Sequence, residues 1–469
     1  MIYSQAEATI IHNKTQALLN DNKFRMAEAA RALDFLQFRQ EEYIRHIIYK
    51  RYPSTCQDVE KYICTVPLTR ALVNQRAKIF STEPVIDLKN QSENSPVRDA
   101  LYTMLDRALF NYHLLCIDRY VEANHNIGVI PHYDAELDRI HLEILTADRV
   151  VIWQDEKLPT KAVAVAYPIG RMDNTIIATP VNKYAYWTKD FYSEVTLKTD
   201  YSLDTTLLKE PNPYKRIPIV WFRNELPVDT FWLDNGYPII DCNEKADIQL
   251  TNLDIGTDFQ SFATLITEGL PDETKITGGV TRYLNLPADF SAGGITGKAY
   301  YINPNVNLKG VWDVINEAIS MTASLLGIST DSIRQGSNYS SGYQLRLSKS
   351  DIVDYNNDKK PMYREAVRNL VQLCADCLTI YSKKVSLPND MDLSIDFADV
   401  KIETNPIEEE QIRAMKISNG TMSRVDAIMQ DNPDLTREDA IKEIERIDLD
   451  NRTYRINPAA GLEGLDGLS

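Results

Sequence analysis

The period of the hydrophobic pattern changes twice along this chain of 469 residues, and those changes constrain the fold more than any single motif. As far as residue 125, apolar residues recur at intervals of three and four, which is typical of amphipathic helices. Between 126 and 223 they alternate or are β-branched and aromatic, which predicts about six to eight strands separated by turns. Near residue 240 the helical period returns. This order predicts an α+β fold with a β-rich unit set between helical regions.

The region before the strands is predicted to be helical, with its breaks set by proline and glycine. One helical pattern fills residues 10–52 and is interrupted at Pro53. A further helix is predicted through Val73, Ala77 and Phe80. Residues 97–125 predict one more helix, which ends before Gly128.

Two helices flank a segment rich in glycine and proline in the second half of the chain. The first is predicted to run to residue 267, and the second ends at Gly327, which is placed as a C-cap. The sequence between them carries short strand-like runs, VTRYLNL and KAYYI, which predict a small β-containing insertion. A polar loop rich in Ser, Asn and Gly then precedes a long helix.

The long helix is predicted from near Tyr343 to Lys384, with a kink at Pro361. Its second half carries a narrow packing seam spaced by four and three residues: Ala366, Leu370, Leu373, Cys377 and Ile380. After a short strand, the acidic C-terminal region predicts short helices. Two capping boxes begin them, Ser423 with Asp426 and Thr436 with Asp439.

No motif in the sequence predicts catalysis, a metal site or a cofactor. Cys374 and Cys377 form a CxxC inside a helical pattern without a second pair or a nearby His, which favours buried thiols. His125 and His132 flank the first strand without a third ligand and are interpreted as structural. The segment around Lys298 lacks two residues that a Walker A loop requires, since Ala292 stands at a glycine position and Ala299 at the position of the hydroxyl residue. A hydrolase using paired carboxylates stays open as an alternative, although no cleft is predicted.

Composition points to a chain that neither crosses a membrane nor grips nucleic acid. No uninterrupted apolar run reaches the ~18 residues that a membrane span needs, and the N-terminus is not a secretory signal. The formal net charge is −16, whereas tight phosphate binding needs clustered cations. An acidic surface serves solubility, or it faces DNA without adhering to it.

Four local segments carry a resemblance to a known family. They are AKIFSTEPVI at 77–86, RIPIVWFRNE at 216–225, YPIIDCNEKADIQLTNL at 237–253, and SSGYQLR at 340–346. Together with the element order, they resemble the portal, or head-to-tail connector, proteins of tailed bacteriophages, in the form found in long-tailed phages of Gram-positive hosts. Two residues depart from the pattern: Gln344 replaces a small residue, which puts tight helix packing there in doubt, and Arg346 replaces Lys, which keeps the charge.

The resemblance implies the portal fold, mostly helical, with a β-rich wing subdomain and a small α/β clip. Its parts are assigned along the whole chain: wing 1–240 (helical 1–125, β-rich 126–235), stem helices 241–267 and 309–327, clip 268–308, tunnel loop 328–341, long kinked wing helix and strand 342–404, crown 405–455 and flexible tail 456–469.

The resemblance also implies a structural rather than enzymatic function without a cofactor. Identical copies, about twelve or thirteen, would form a ring at the capsid vertex. Double-stranded DNA would pass through the channel during packaging and ejection. The implied partners are the terminase large subunit, a head-completion or tail adaptor protein, and the major capsid and scaffolding proteins. The protein would be assembled in the host cytoplasm and reside in the virion. The alternative is another phage head–tail adaptor or assembly protein.

The residues implied to act fall in three groups. The tunnel loop presents a possible DNA contact in Arg334, Gln335, Gly336, Ser337, Asn338 and Tyr339. The motif after it contains Ser341, Gly342, Leu345 and Arg346. The clip carries Lys275, Arg282 and Lys298, which could touch DNA or pair with carboxylates of a neighbouring subunit; subunit pairing is favoured, since opposite charges set register in a head-to-tail ring.

Overall fold

A computed structural model describes the protein over thirteen stretches of the chain. They are residues 22–89, 95–169, 183–196, 209–233, 236–261, 264–268, 298–302, 308–328, 342–382, 387–388, 391–397, 413–431 and 436–453. The described residues divide into two compact units. Unit 1 comprises Met1–Gln335 and Asp351–Val400, and unit 2 comprises Gly336–Ser350 and Lys401–Ser469.

The described part of the chain mixes helices with antiparallel sheets, which confirms the α+β class. The helices are α1 Lys23–Leu36, α2 Glu41–Arg51, α3 Cys56–Val59, α4 Leu68–Arg76, α5 Pro96–Arg107, α6 Phe110–Asn124, α7 Pro238–Ser261, α8 Leu308–Leu325, α9 Gly342–Ser382, α10 Arg424–Asp431 and α11 Arg437–Thr453. A 3-10 turn spans Glu60–Tyr62, and residues 413–418 are also helical.

The strands are β1 Val85–Leu88, β2 Asn126–Asp134, β3 Arg139–Thr146, β4 Val151–Gln154, β5 Ala162–Pro168, β6 Lys183–Thr188, β7 Phe191–Thr196, β8 Lys209–Pro211, β9 Val220–Arg223, β10 Thr264–Glu268, β11 Lys298–Ile302 and β12 Leu393–Asp396. Eight of them, β2 to β9, lie in the region where the sequence predicts strands. They form a three-stranded sheet in the order β3-β2-β9 and a five-stranded sheet in the order β4-β5-β6-β7-β8.

Close approach of neighbouring strands explains one glycine in the three-stranded sheet. Gly128 on β2 pairs with Trp221 on β9. A Cβ atom at Gly128 would lie 3.0 Å from the Cγ2 atom of Ile219 and 3.1 Å from the Trp221 ring. A side chain there would force the side chains of Ile219 and Trp221 to move, so the close approach favours glycine.

The main core of unit 1 lies where α5, α6 and α9 meet the strands. Tyr363 on α9 is fully buried, and its ring contacts Phe80 and Phe222 with centroids 5.6 and 5.8 Å apart. Most of the predicted seam on α9 is buried: Ala366, Leu370 and Cys377 belong to this core and Leu373 is 1% exposed, whereas Ile380 at its end is only partly buried. Cys374 and Cys377 are free buried thiols, as predicted, and burial raises the pKa of Cys377 to about 11.

Two helix predictions before the strands are wrong in extent. The helix predicted through Val73, Ala77 and Phe80 ends at Arg76, because Phe80 turns inward to stack on Tyr363. The single helix predicted over 97–125 is two helices. They are separated at Leu109, which has φ +49°, and this turn lets Phe110 enter the core beside α5.

A left-handed residue also divides the first helical region. Phe38, with φ +59°, lies between α1 and α2 inside the run that the sequence gives as continuous up to Pro53. The periodicity is the same on both sides of the turn, so it carries no signal of the break.

Unit 2 contains the two predicted capping boxes. The Asp426 amide donates to Ser423 Oγ over 3.0 Å, and the Asp439 amide donates to Thr436 Oγ1 over 3.3 Å. Each serine or threonine thereby satisfies a free amide at the start of α10 or α11. No helix among the described residues is long and apolar enough to span a bilayer.

Candidate assembly interface

Helices α7 and α8 form an antiparallel pair within unit 1. Cys242 near the start of α7 lies in the same hydrophobic cluster as Ala323 near the end of α8. At the other end of the pair, a Cβ at Gly256 would lie 3.5 Å from Leu308 Cδ2. The contact seam between the two helices is apolar and includes Ile239, Cys242, Ala246, Leu250, Val311, Ile315, Ile319 and Ala323.

A strand pair continues from the far end of these helices. Strand β10 pairs antiparallel with β11 in a register that places Glu268 opposite Lys298. The helix predicted over 241–267 is therefore wrong at its end: α7 stops at Ser261, and Thr264–Glu268 is a strand. The run Thr-Leu-Ile-Thr is rich in β-branched residues, which favours the strand over a helix. The predicted strand KAYYI is confirmed as β11.

A ladder of polar side chains fixes α7 on its other side. Asn243, Asp247 and Thr251 are fully buried and lie four residues apart. Their oxygens accept hydrogen bonds from the backbone amides of Thr69 (2.8 Å), Val66 (2.9 Å) and Cys64 (3.1 Å), respectively. Cys64 and Val66 lie in neither a helix nor a strand, so their backbone amides need other partners, and the ladder supplies them.

Burial changes the acidity of the middle member of this ladder. It raises the pKa of Asp247 to about 7, although the hydrogen bonds from Val66 and Gln40 act in the opposite direction. Sequence analysis did not single out these residues. Their spacing of four on an otherwise buried face is the signal that identifies them.

Helix α8 carries a second apolar stripe that no described residue covers. Val314, Ala318, Met321 and Leu325 are spaced by four, three and four residues and are all exposed. The exposed fractions are 64% for Val314, 65% for Met321 and 77% for Leu325. This spacing is typical of a helix–helix contact, so α8 carries two apolar faces: one packs on α7 and the other is exposed.

The end of α8 is held by the predicted glycine cap. Gly327 has φ +71°, and the Ile328 amide donates to the Ala323 carbonyl over 2.8 Å, which is the Schellman arrangement. A Cβ at Gly327 would lie 3.2 Å from Asp351 Cβ on α9. Both the conformation and the close approach therefore require glycine.

A buried charge cluster attaches α9 to α6. Lys359 Nζ lies 2.6 Å from Glu122 Oε1 and 3.1 Å from Asp118 Oδ1, and all three side chains are at most 1% exposed. Tyr363 donates to Asp118 over 3.0 Å, and Tyr355 donates to Glu122 over 3.0 Å. Burial acts to lower the pKa of Lys359, but the two carboxylates outweigh it and raise that pKa, so the ammonium stays charged.

Sequence analysis also missed this cluster. Tyr355, Lys359 and Tyr363 are spaced by four on α9, and Asp118 and Glu122 by four on α6. The spacing of four on each helix places each set on one helix face, and this is the signal in the sequence.

Most of the predicted site residues lie outside the described residues. They are Arg334, Gln335, Gly336, Ser337, Asn338 and Tyr339 in the polar loop, Ser341 in the motif, and Lys275 and Arg282 in the Gly/Pro-rich segment. The other motif residues, Gly342, Leu345 and Arg346, belong to the first turns of α9, and Lys298 begins β11. The predicted strand VTRYLNL also lies outside.

The two histidines near β2 have structural partners. His125 Nε2 lies 2.8 Å from the Gly236 carbonyl oxygen, and His132 Nε2 lies 2.7 Å from Glu143 Oε2. Within the described stretches, no three His, Cys, Asp or Glu side chains are grouped as metal ligands.

Comparison with known families gives one match that covers most of the chain. The family model described as phage portal protein, SPP1 Gp6-like, matches residues 28–455. No curated protein matches the chain.

The solved structures that the chain is similar to include three of gene transfer agent particles. One is the neck of an empty GTA particle computed with C6 symmetry, at 11% identity and TM-score 0.43, covering 78% of this chain and 90% of that chain. A virion of the native gene transfer agent particle matches at 10% identity and TM-score 0.39, covering 81% and 96%. The neck of a native GTA particle computed with C12 symmetry matches at 12% and 0.34, covering 76% and 86%.

Proposed function

The chain belongs to the family of SPP1 Gp6-like phage portal proteins, and from this premise we propose that its copies join into a ring through the exposed stripe of α8. The observation that carries the proposal is the stripe of Val314, Ala318, Met321 and Leu325, which lies beside a seam already filled by α7. A monomer gains nothing from an exposed helical seam of this kind, whereas a ring covers it in every subunit.

The proposed ring has about twelve copies in closed rotational symmetry and sits at one capsid vertex of the virion. In a head-to-tail ring each subunit uses two different surfaces, so the α8 stripe would pack on another surface of the next copy. The antiparallel pair of α7 and α8 would be the stem, and the strands β10 and β11 would belong to the clip.

Double-stranded DNA is the proposed cargo of the channel. A passing duplex must not adhere, and a chain with net charge −16 repels phosphate over about 8 Å at physiological salt. We assign the DNA contact to residues 328–341, where Arg334 offers one cation per subunit. Lys275, Arg282 and Lys298 are assigned to subunit pairing in the clip, where opposite charges on the two faces of a head-to-tail contact would set its register.

The remaining partners follow from a portal's place in assembly. The clip would meet the terminase large subunit during packaging and a head-completion or tail adaptor protein afterwards. The crown, residues 405–455, would face the capsid interior, and the major capsid and scaffolding proteins would surround the ring. The protein itself would supply structure, with the energy of packaging coming from the separate terminase.

The test compares two methionines that are equally exposed on helices. Met321 on the stripe is 65% exposed, and Met415, in residues 413–418 of unit 2, is 63% exposed. We expect wild type and Met415→Glu to form closed rings in negative-stain electron microscopy and mass photometry. Met321→Glu places a carboxylate in each subunit contact, which costs about 2 kcal/mol or more per contact, and should leave monomers with an unchanged circular dichroism spectrum. Rings of Met321→Glu as abundant as those of wild type would overturn the α8 interface.

A further inference from the structure

One face of the five-stranded sheet forms the floor of an aromatic pocket of about 780 Å³. Cross-strand pairs place the floor residues on the same side: Tyr167 lies opposite Ala185, and Trp187 opposite Tyr192. The ring centroids of Trp187 and Tyr192 are 4.2 Å apart, and the Trp187 indole donates to the Tyr167 hydroxyl over 3.2 Å. The floor is thus rigid and rich in π-electrons.

The same register places carboxylates beside these rings. Glu210 on β8 lies opposite Tyr192, so its side chain is on the pocket side of the sheet. Glu194 is on that side too and accepts a hydrogen bond from Tyr192 over 3.0 Å. Glu210, Tyr192 and Tyr381 all line this one pocket.

The walls come from two other elements of unit 1. Tyr381, 48% exposed, and Ile380 are contributed by the end of α9, while Glu143 comes from β3 and is paired with His132. Pro211 and Pro213 close the side near β8. None of the twelve described lining residues is a lysine or an arginine. The lining therefore combines aromatic rings with acidic groups and lacks a described cation to neutralise them.

We propose that this pocket binds an arginine side chain presented by a partner protein. The guanidinium would lie between the rings of Tyr192 and Tyr381 and pair with Glu210. A planar cation gains from both contacts, because it stacks on aromatic faces and pairs with a carboxylate through two parallel hydrogen bonds. Its hydrocarbon stem would lie on Ile169 and Ile380. The volume is within the ordinary range for small-group sites, and the negative lining repels phosphate.

A sugar is the competing occupant for an aromatic pocket with carboxylates. Stacking of a sugar needs a broad exposed ring face, but the two floor rings at the centre are nearly covered: Tyr167 is 4% and Trp187 7% exposed. Tyr381, at 48% exposed, is the more accessible ring of the lining, and with Tyr192 and Glu210 it suits a narrow cation.

The test uses the full chain with two small probes of the same shape. N-acetyl-arginine amide carries the guanidinium, and N-acetyl-citrulline amide replaces it with a neutral urea group. Binding is followed by ligand-observed NMR titration at low ionic strength, with N-acetyl-glucosamine as the sugar probe. We expect millimolar binding of the arginine compound and at least tenfold weaker binding of the other two. Equal binding of arginine and citrulline probes, or preference for the sugar, overturns the proposal.

Variants then locate the binding. Glu210→Gln should weaken arginine-amide binding about tenfold, whereas Glu136→Gln, an exposed glutamate in the turn between β2 and β3, should leave it unchanged. Tyr381→Leu keeps the pocket wall apolar but removes an aromatic ring, and it provides a second test of the site if Glu210→Gln fails to fold. Unaltered affinity in a folded Glu210→Gln or Tyr381→Leu variant refutes the site. Ring assembly does not enter these measurements, so their failure leaves the proposed function standing.

Discussion

Removing the ammonium of Lys359 should destabilise unit 1 strongly. In Lys359→Met, Asp118 and Glu122 would stay buried at 0% exposure, and the remaining cation near them is Arg76, whose Nε lies 3.3 Å from Glu122. Methionine fills much of the lysine volume, so the loss is electrostatic rather than a cavity. Breaking a buried ion pair by deleting one partner costs about 3–5 kcal/mol, and we expect that loss in the free energy of unfolding at pH 8.

The loss should shrink as the pH falls. Burial raises the pKa of Asp118, and Lys359 opposes that rise, so its removal moves the carboxyl pKa further upward. A carboxyl whose pKa is raised in the folded state stabilises the fold at low pH, and that contribution is lost as the pH rises through the folded-state pKa. Lys359→Met should therefore lie closer to wild type at pH 5 than at pH 8.

Urea unfolding followed by circular dichroism and tryptophan fluorescence measures these differences. Lys50→Met makes the same chemical change at an exposed position at the end of α2 and should shift stability by less than about 0.5 kcal/mol. The triple variant Lys359→Met, Asp118→Asn, Glu122→Gln removes the unpaired charges and should recover most of the loss. A Lys359→Met protein within about 1 kcal/mol of wild type at pH 8 would show that the cluster does not hold α9 in this way.

Two further perturbations test the local arguments. Gly327→Ala should lower the free energy of unfolding in urea by about 2 kcal/mol, because the new methyl group must adopt a positive φ and also approaches Asp351. The control Gly236→Ala has φ +72° but open space around it, and should cost only about 1 kcal/mol. Equal losses in the two variants would show that the Asp351 contact contributes nothing. As the pH rises from 5 to 8, Asp247→Asn should become more stable relative to wild type, because the wild-type carboxyl, with its pKa raised to about 7, is costly to ionise in its buried site. A difference in the free energy of unfolding that does not change with pH would contradict this raised pKa.

The periodic elements were predictable from sequence because their signals are local. The change of period placed the region that holds strands β2 to β9, and the capping boxes at Ser423 and Thr436 marked the starts of α10 and α11. Gly327 was identified as a cap because a helical pattern ended at a glycine followed by polar residues. Each of these features depends on residues within one or two turns of one another.

Breaks made by ordinary residues were not predictable. Phe38 and Leu109 adopt positive φ, and nothing in their local sequence favours that conformation. At Leu109, burial of Phe110 and its neighbours offsets the conformational cost of the turn. The end of α7 at Ser261 was missed because the apolar period continues into the strand that follows.

The sequence by itself determined the class of fold, the order of its elements and, through four short segments, a resemblance to portal proteins that the family match then established. Only the tertiary structure decided which polar residues are buried together, which face of α8 is left uncovered, and which rings enclose the pocket on the five-stranded sheet. The physical reason is range. Helix and strand periods arise between neighbours in the chain, whereas Lys359 meets Asp118, and Tyr381 lines one pocket with Glu210, only because distant segments pack together.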